Sequence, residues 1–194
     1  MAILGNKRKK FEKTHQGKEN RGKMFEIGEY VFYGSQGVCQ IADITRPDIA
    51  GIDGERLYYV LTPIGDANGR IYAPTENQKT VMRRVISKEE AEELIRELPA
   101  IKLLFVPNEK QREIVYKEAL RACDYHAWVS IAKTLYVRKK ERIAQGRKST
   151  ALDEKYMRAV EHELYSELSL ALGIPKEQME QYIRDKLQET EICV

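Results

Sequence analysis

The spacing of apolar positions changes once along the chain, near residue 86. Before this point, short apolar runs alternate with clusters of Gly, Asn and Asp, which is typical of strands joined by turns. The predicted strands cover residues 30–33, 38–44, 57–61, 70–74 and 80–83. Asn68 and Gly69 are suited to positive φ in a tight hairpin before the fourth strand. Five short strands in so short a stretch favour a small, strongly bent β-barrel.

From residue 87 onward, the apolar positions recur at helical spacing. Ser87 and Glu90 have the spacing of a capping box, which predicts a helix that ends before Pro99. Further helices are predicted near residues 109–122, 125–145, 151–172 and 175–188, with Gly173 as the cap of the third. Pro175 suits the first turn of the last helix. Trp128 has helical spacing to Ile131 and Leu135 and is expected in the core.

The fold class predicted by these patterns is α+β, with an N-terminal five-stranded β-barrel followed by an all-α domain. We expect four segments. Residues 1–23 form a disordered basic leader, either a genuine arm or a tag ahead of a start at Met24. Residues 24–86 form the barrel, residues 87–107 a linker helix, and residues 108–190 the helical domain.

The net charge of +3 is distributed unevenly along the chain. Residues 1–23 hold eight of the 33 Lys and Arg and two of the 30 Asp and Glu. The rest therefore carries 25 basic and 28 acidic residues and is mildly acidic. Such a surface does not favour binding to nucleic acid by overall charge. No apolar run approaches the ~18 residues of a transmembrane helix, so a cytoplasmic protein without membrane contact is expected.

Residues suited to catalysis or metal binding do not form a recognisable motif. Cys39, Cys123 and Cys193 are far apart and lack a C-x-x-C pair, which indicates free thiols. His162 stands between two glutamates, but neighbours on a helix point about 100° apart and do not converge. The chain also lacks a phosphate-binding glycine loop. We therefore expect no catalytic residue, no metal site and no cofactor, although an unrecognised site is an open alternative.

The remaining features favour binding. Residues 138–148 hold six cations against one acid, at the end of a predicted helix. These cations could contact DNA phosphates, or they could only complement the helix dipole. In the aromatic run of the barrel, Tyr58 and Tyr59 must face opposite ways, so one of them is expected at the surface or at a barrel edge.

Several sequence blocks then carry a family resemblance. They are Phe25-Glu26-Ile27-Gly28-Glu29-Tyr30-Val31-Phe32-Tyr33, Gly37-Val38 with Ile41, Tyr58-Tyr59-Val60-Leu61, Ala73-Pro74, Val85-Ile86-Ser87, and Tyr156-Met157-Arg158-Ala159 with Glu163-Leu164. In this order they resemble the CarD family, the CarD/CdnL-like transcription regulators. These share a barrel module with the transcription-repair coupling factor. The resemblance spans residues 24–188 and is tightest in the first block.

The resemblance implies a Tudor-like or SH3-like barrel that binds the β subunit of RNA polymerase, partly by strand addition. It also implies a helical domain that contacts promoter DNA and stabilises the open complex. The implied polymerase contacts are Arg46, after Thr45 at the end of the second strand, and Tyr72. Relatives have a second arginine at the position of Tyr72, so that contact is changed or lost here. Near Arg112, some relatives carry a tryptophan that wedges the minor groove. Arginine suits phosphate or groove contact instead.

The sequence therefore predicts a cytoplasmic, nucleoid-associated bacterial regulator that is not an enzyme. It is expected to bind the RNA polymerase β subunit and to contact promoter DNA weakly and without sequence preference. The candidate DNA-contacting residues are Arg112, Arg138, Lys139, Lys140, Arg142, Arg147 and Lys148. The alternative is a non-enzymatic adaptor whose barrel recruits a non-polymerase partner. An unpaired barrel edge could also join two copies in a homodimer.

Overall fold

The computed structural model describes residues 25–76 and 79–192. The expected leader, residues 1–23, and Cys193 lie outside the described residues. Within them the order is five strands followed by five α-helices, so the α+β class is confirmed.

The N-terminal part is a five-stranded antiparallel sheet. Its strands are β1 (Tyr30–Tyr33), β2 (Val38–Thr45), β3 (Tyr58–Pro63), β4 (Ile71–Pro74) and β5 (Met82–Arg84). They lie in the order β4-β3-β2-β1-β5. A register shift between Ile41 and Asp43 bends the long strand β2, as an extra residue in one strand of a pair does. In the described residues β4 and β5 are the two edges of this sheet and do not pair, so closure into the predicted barrel is not shown.

The turn between β3 and β4 differs from the tight hairpin predicted for Asn68 and Gly69. The left-handed residue of this connection is Gly65, with φ of 96°, whereas Asn68 and Gly69 do not have positive φ. The Oδ1 atom of Asp66 accepts from the amides of Asn68 (3.3 Å) and Gly69 (3.0 Å). This Asp-centred turn makes the connection longer and removes the need for a left-handed dipeptide.

The helices match the predicted ones closely. They are α1 (Lys88–Glu97), α2 (Arg112–Arg121), α3 (Tyr125–Ala144), α4 (Ala151–Leu172) and α5 (Met179–Ile192). The capping box of Ser87 and Glu90 is formed, and Gly173 caps α4 in the left-handed conformation with φ of 67°. Pro175 precedes a 3-10 turn, Lys176–Gln178, and α5 therefore begins later than predicted.

The sheet has a core on each face, because neighbouring strand residues point to opposite sides. One core lies within the sheet domain: Phe25, Val31, Cys39, Ile41, Tyr59, Leu61 and Ala73. The other face contributes Phe32, Val38 and Ile86 to the core of the helices. Tyr58 and Tyr59 are both buried, at 8% and 3% exposure, and β3 is not an edge strand. The expectation that one of them reaches the surface or an edge is therefore wrong.

Trp128 joins the sheet to the helices. Its side chain is fully buried, as predicted, and its ring centroid lies 5.1 Å from that of Phe32 on β1. Its Nε1 donates to the Leu120 carbonyl at 3.1 Å, which satisfies its one polar atom. The predicted barrel and helical segments thus share one continuous core.

A buried ion pair crosses the same junction. Arg83 on β5 donates from Nη1 and Nη2 to the two carboxylate oxygens of Glu167 on α4, at 2.6 and 3.0 Å. Glu167 Oε1 also accepts from the Tyr125 hydroxyl (2.7 Å) and the Ile86 amide (3.0 Å). Arg83 Nε donates to the carbonyl of Cys123, a residue with φ of 52°. Non-glycine residues rarely adopt this φ, and here the backbone places the carbonyl against the guanidinium.

Candidate functional site

The residues expected to meet RNA polymerase lie on strands β2 and β4 or directly after β2. Thr45 is paired with Tyr58, and Tyr58 is paired with Pro74 at the end of β4. Arg46 follows Thr45 directly, so it lies at the end of the sheet where β4 ends. Tyr72 is on β4 itself, an edge strand, and is half-buried. Thr45 and Arg46 therefore lie at the end of the sheet where β4 ends, and Tyr72 lies on β4, two strands away from β2.

Arg46 is exposed and its charge is available. Its Nε donates to the Glu55 carbonyl at 3.3 Å, which holds the side chain without neutralising it. Among the described residues no carboxylate forms an ion pair with Arg46, whereas Arg56 in the same connection is paired with Asp53 at 3.0 Å. A cation that is held by a carbonyl and left unneutralised suits an acidic or carbonyl-rich partner surface.

The seven predicted DNA-contacting cations divide into two groups. Arg112 and Arg138 are engaged by carboxylates. Arg112 is only 9% exposed; its Nη1 lies 2.6 Å from Glu109 Oε2, and its Nε lies 3.7 Å from Asp153 Oδ1. Arg138 donates to both oxygens of Glu109, at 2.9 and 3.2 Å. Burial and two acidic neighbours make Arg112 the least accessible of the seven.

The other five cations surround the C-terminal end of α3. Arg142 is half-buried, and its Nε donates to the Lys148 carbonyl at 2.8 Å. The amide of Arg147 donates to the Arg142 carbonyl at 2.8 Å, after a left-handed turn at Gly146 with φ of 68°. These bonds fold the chain back onto the helix end. Lys139, Lys140, Arg147 and Lys148 are exposed there.

Sequence reasoning missed Glu109 as part of this surface. Its carboxylate is 67% exposed and bridges the two arginines. The hydrogen bond from Arg138 lowers the pKa of Glu109 below its usual value. Burial opposes this shift, and the charges of Arg138 and Arg112 add to it. Glu109 precedes Arg112 by three residues, a spacing that could have indicated this ion pair from the sequence. Arg138 is 29 residues away, so only the packing of the helices shows that pairing.

The groups that could have carried chemistry are placed differently. Burial raises the pKa of both Cys39 and Cys123 to about 11, so these thiols are protonated at neutral pH and unreactive.

The His162 ring lies 2.9 Å from Lys176 Nζ. Glu163 Oε2 is buried without a hydrogen-bond partner among the described residues. In that part of the chain, no group of three His, Cys, Asp or Glu side chains is arranged to hold a metal. Its helices also include none that is long and apolar enough to span a bilayer.

Comparison with known families gives one match. Residues 25–86 match the family described as CarD-like/TRCF RID domain. The matched span covers all five strands and ends just before the capping box of α1. Residues 25–86 are therefore similar to the CarD-like/TRCF RID domain, and the resemblance predicted from the sequence is confirmed over this span. A comparison with curated proteins found no match.

Proposed function

We propose that this chain is a non-enzymatic bacterial transcription regulator that docks on the β subunit of RNA polymerase and modulates open-complex formation at promoters. The observation that carries this proposal is the RID-domain match over residues 25–86. The match covers the complete sheet and includes the exposed Arg46. Such a protein works in the bacterial cytoplasm, in association with the nucleoid.

The free edge of the sheet supports docking by strand addition. Strand β4 is paired only with β3 in the described structure, so its outer backbone groups are open to a partner strand. Main-chain hydrogen bonds of this kind supply affinity, and neighbouring side chains supply specificity. Tyr72 on β4, together with Thr45 and Arg46 at the end of the sheet, would supply those side chains. Tyr72 offers a ring and a hydroxyl where relatives are expected to use arginine.

The shared core supports a role for the helices in DNA contact. Because the rings of Phe32 and Trp128 pack against each other across the junction and Arg83 is paired with Glu167, docking of the sheet also positions the helical segment. A tethered surface experiences a high local DNA concentration, so weak contacts are sufficient. In this scheme the phosphates are contacted by the exposed Lys139, Lys140, Arg147 and Lys148. The half-buried Arg138 and Arg142 add positive charge next to them. We assign Arg112 to holding α2 against α4 through Asp153.

The proposal is tested by the binding of the full chain to the isolated β-subunit lobe of bacterial RNA polymerase. Wild-type protein is expected to bind with micromolar or tighter affinity. Arg46→Glu is expected to weaken binding by about tenfold or more, because a like charge then faces an acidic partner surface. Arg184→Glu changes an exposed arginine on α5 and serves as the matched control. An equal effect of the two variants would contradict docking through Arg46.

The same free edge also fits the adaptor alternative, in which β4 recruits a protein other than polymerase. Failure to bind the β lobe by a folded, monodisperse protein would favour that function. Edge pairing between two copies would instead appear as a concentration-dependent dimer in sedimentation velocity.

A further inference from the structure

Helix α3 carries an apolar stripe that passes out of the core. Val129, Tyr136 and Ile143 are seven residues apart and therefore lie on one face of the helix. Val129 is 2% exposed and belongs to the core, whereas Tyr136 is 52% exposed and Ile143 is 59% exposed. The first turns of this face are covered by the rest of the protein, and the last turns are not.

Cations surround the exposed part of the stripe. Lys140 stands four residues after Tyr136 and places its Nζ 4.7 Å from the centre of the Tyr136 ring. Lys139 lies on the same side, and Arg147 and Lys148 follow where the chain folds back. Glu141, the one acid among residues 138–148, lies about 140° around the helix from Tyr136 and points away.

The combination of an exposed ring with flanking cations defines the chemistry of the ligand. Four cations lie at this face, and Glu161 on α4 interacts electrostatically with one of them, Lys139. The remaining excess of positive charge favours a polyanion. A phosphate backbone alone would need only the cations, whereas an exposed tyrosine next to an exposed isoleucine offers flat apolar contact to a base. In a duplex the base faces are already stacked on one another. An aromatic side chain can therefore stack only on a base that has left the helix or belongs to a single strand.

We infer that the exposed face of α3, made of Tyr136, Lys139, Lys140 and Ile143 with Arg147 and Lys148, binds an unpaired nucleic-acid strand. Bases stack on Tyr136 and Ile143, and the cations hold the phosphates. This inference rests on the proposed function and specifies its nucleic-acid ligand as melted rather than duplex DNA. At a promoter, such a surface would favour the open state because it binds the strands that opening exposes more tightly than the duplex.

The test compares the affinity of the full chain for a short fluorescent oligothymidine with its affinity for a duplex of the same length, at low salt. Wild-type protein is expected to prefer the single strand by about tenfold. Tyr136→Leu, which keeps apolar bulk but removes the ring, is expected to abolish the preference, and Tyr136→Phe to retain it. Lys140→Ala should weaken binding to both. The controls are Ile64→Ala, at an exposed apolar residue of the sheet, and Lys186→Ala, at a lysine over a tyrosine ring on α5.

Several outcomes would overturn the inference. Equal affinity for strand and duplex, an unchanged preference in Tyr136→Leu, or no binding to either ligand would each do so. Competition by oligoglutamate as effective as that by oligothymidine would show that the face binds an acidic protein. The β-lobe assay separates this inference from the proposed function. Intact lobe binding without strand preference rejects the ligand alone, whereas strand preference without lobe binding rejects the polymerase docking.

Discussion

Arg83 on β5 and Glu167 on α4 form a bidentate ion pair at the junction of the sheet and the helices. The distances are 2.6 Å from Nη1 to Oε1 and 3.0 Å from Nη2 to Oε2. The guanidinium also lies 4.5 Å from the centre of the Phe32 ring and 4.2 Å from that of Tyr125. Burial opposes the charge, but the hydrogen bond and charge of Glu167 outweigh it and raise the pKa of Arg83. Arg83 therefore stays charged, and its contacts with Glu167 join the two parts of the chain.

Removal of one partner of this pair is predicted to be strongly destabilising. Glu167→Gln leaves the Arg83 charge buried and unneutralised, at a cost of roughly 3–5 kcal/mol in the free energy of unfolding. Urea unfolding followed by the single tryptophan and by far-UV circular dichroism measures this loss. The matched control is Glu180→Gln, which breaks the exposed pair with Arg184 and should cost less than about 1 kcal/mol.

The two probes also test whether sheet and helices unfold together. Because Trp128 lies in the shared core and the helices dominate circular dichroism, both signals should change at the same urea concentration in wild-type protein. Separate transitions, or a loss in Glu167→Gln no larger than that in Glu180→Gln, would show that the junction does not couple them.

Glu163 is predicted to destabilise the fold at high pH. Burial raises the pKa of its carboxyl above the usual 4.5, and its Oε2 has no hydrogen-bond partner among the described residues. With the folded pKa above the unfolded one, stability is fully present below the unfolded pKa and is lost as pH rises through the folded pKa. Glu163→Gln should therefore raise the Tm more at about pH 8 than at about pH 5.

The control for that prediction is Glu93→Gln, at an exposed glutamate on α1. Its Tm should follow that of wild-type protein at both pH values. A gain for Glu163→Gln that is the same at both pH values would mean that its charge is not the cause.

Glu90 is predicted to contribute stability that acid removes. Hydrogen bonds from Arg84 lower the pKa of Glu90 to about 2, and the Ser87 amide donates to the same carboxylate at 2.9 Å. A depressed folded pKa gives stability above the unfolded value of 4.5 that is lost as pH falls toward 2. Chemical denaturation at a series of pH values should show a shallower acid loss in Glu90→Gln than in wild-type protein. Parallel curves would contradict this role.

Glu109 is predicted to weaken nucleic-acid binding by occupying Arg138. Glu109→Gln removes the carboxylate charge that Arg138 binds at 2.9 and 3.2 Å. Affinity for duplex DNA should rise several-fold, and the salt dependence should steepen by about one phosphate contact. The matched control is Glu113→Gln, at an exposed acid on α2 that lies 3.9 Å from Lys155. An equal gain in both variants would indicate a general charge effect.

Local signals predicted most of the fold. The strands and helices could be predicted because their spacing and caps act over a few residues, as with Ser87 and Glu90. Trp128 could be assigned to the core because its apolar neighbours on the helix all lie on one side. The longer turn at Gly65 could not be predicted, because the side chain of Asp66 competes with the Asn68–Gly69 signal.

Contacts between distant segments could not be predicted. A glutamate in a helix is normally exposed, so nothing local indicates that Glu167 is fully buried against Arg83, 84 residues away. Arg112 is buried for the same reason, since Asp153 approaches only when α2 and α4 pack. The side chains of β3 alternate between the two faces of the sheet, but both faces are covered, so Tyr58 is buried as well as Tyr59. The candidate docking residues were inferred from the family resemblance alone, because composition and spacing do not indicate them.

The central claim, docking of the β4 side of the sheet on RNA polymerase, is tested most directly by hydrogen–deuterium exchange of the full chain with and without the β-subunit lobe. Strand addition forms new main-chain hydrogen bonds, so amides of residues 71–74 and of residues 43–46 should exchange more slowly in the complex. Amides of α5 should be unchanged. Protection confined to the helices, or no protection at β4 under saturating lobe, would contradict the account.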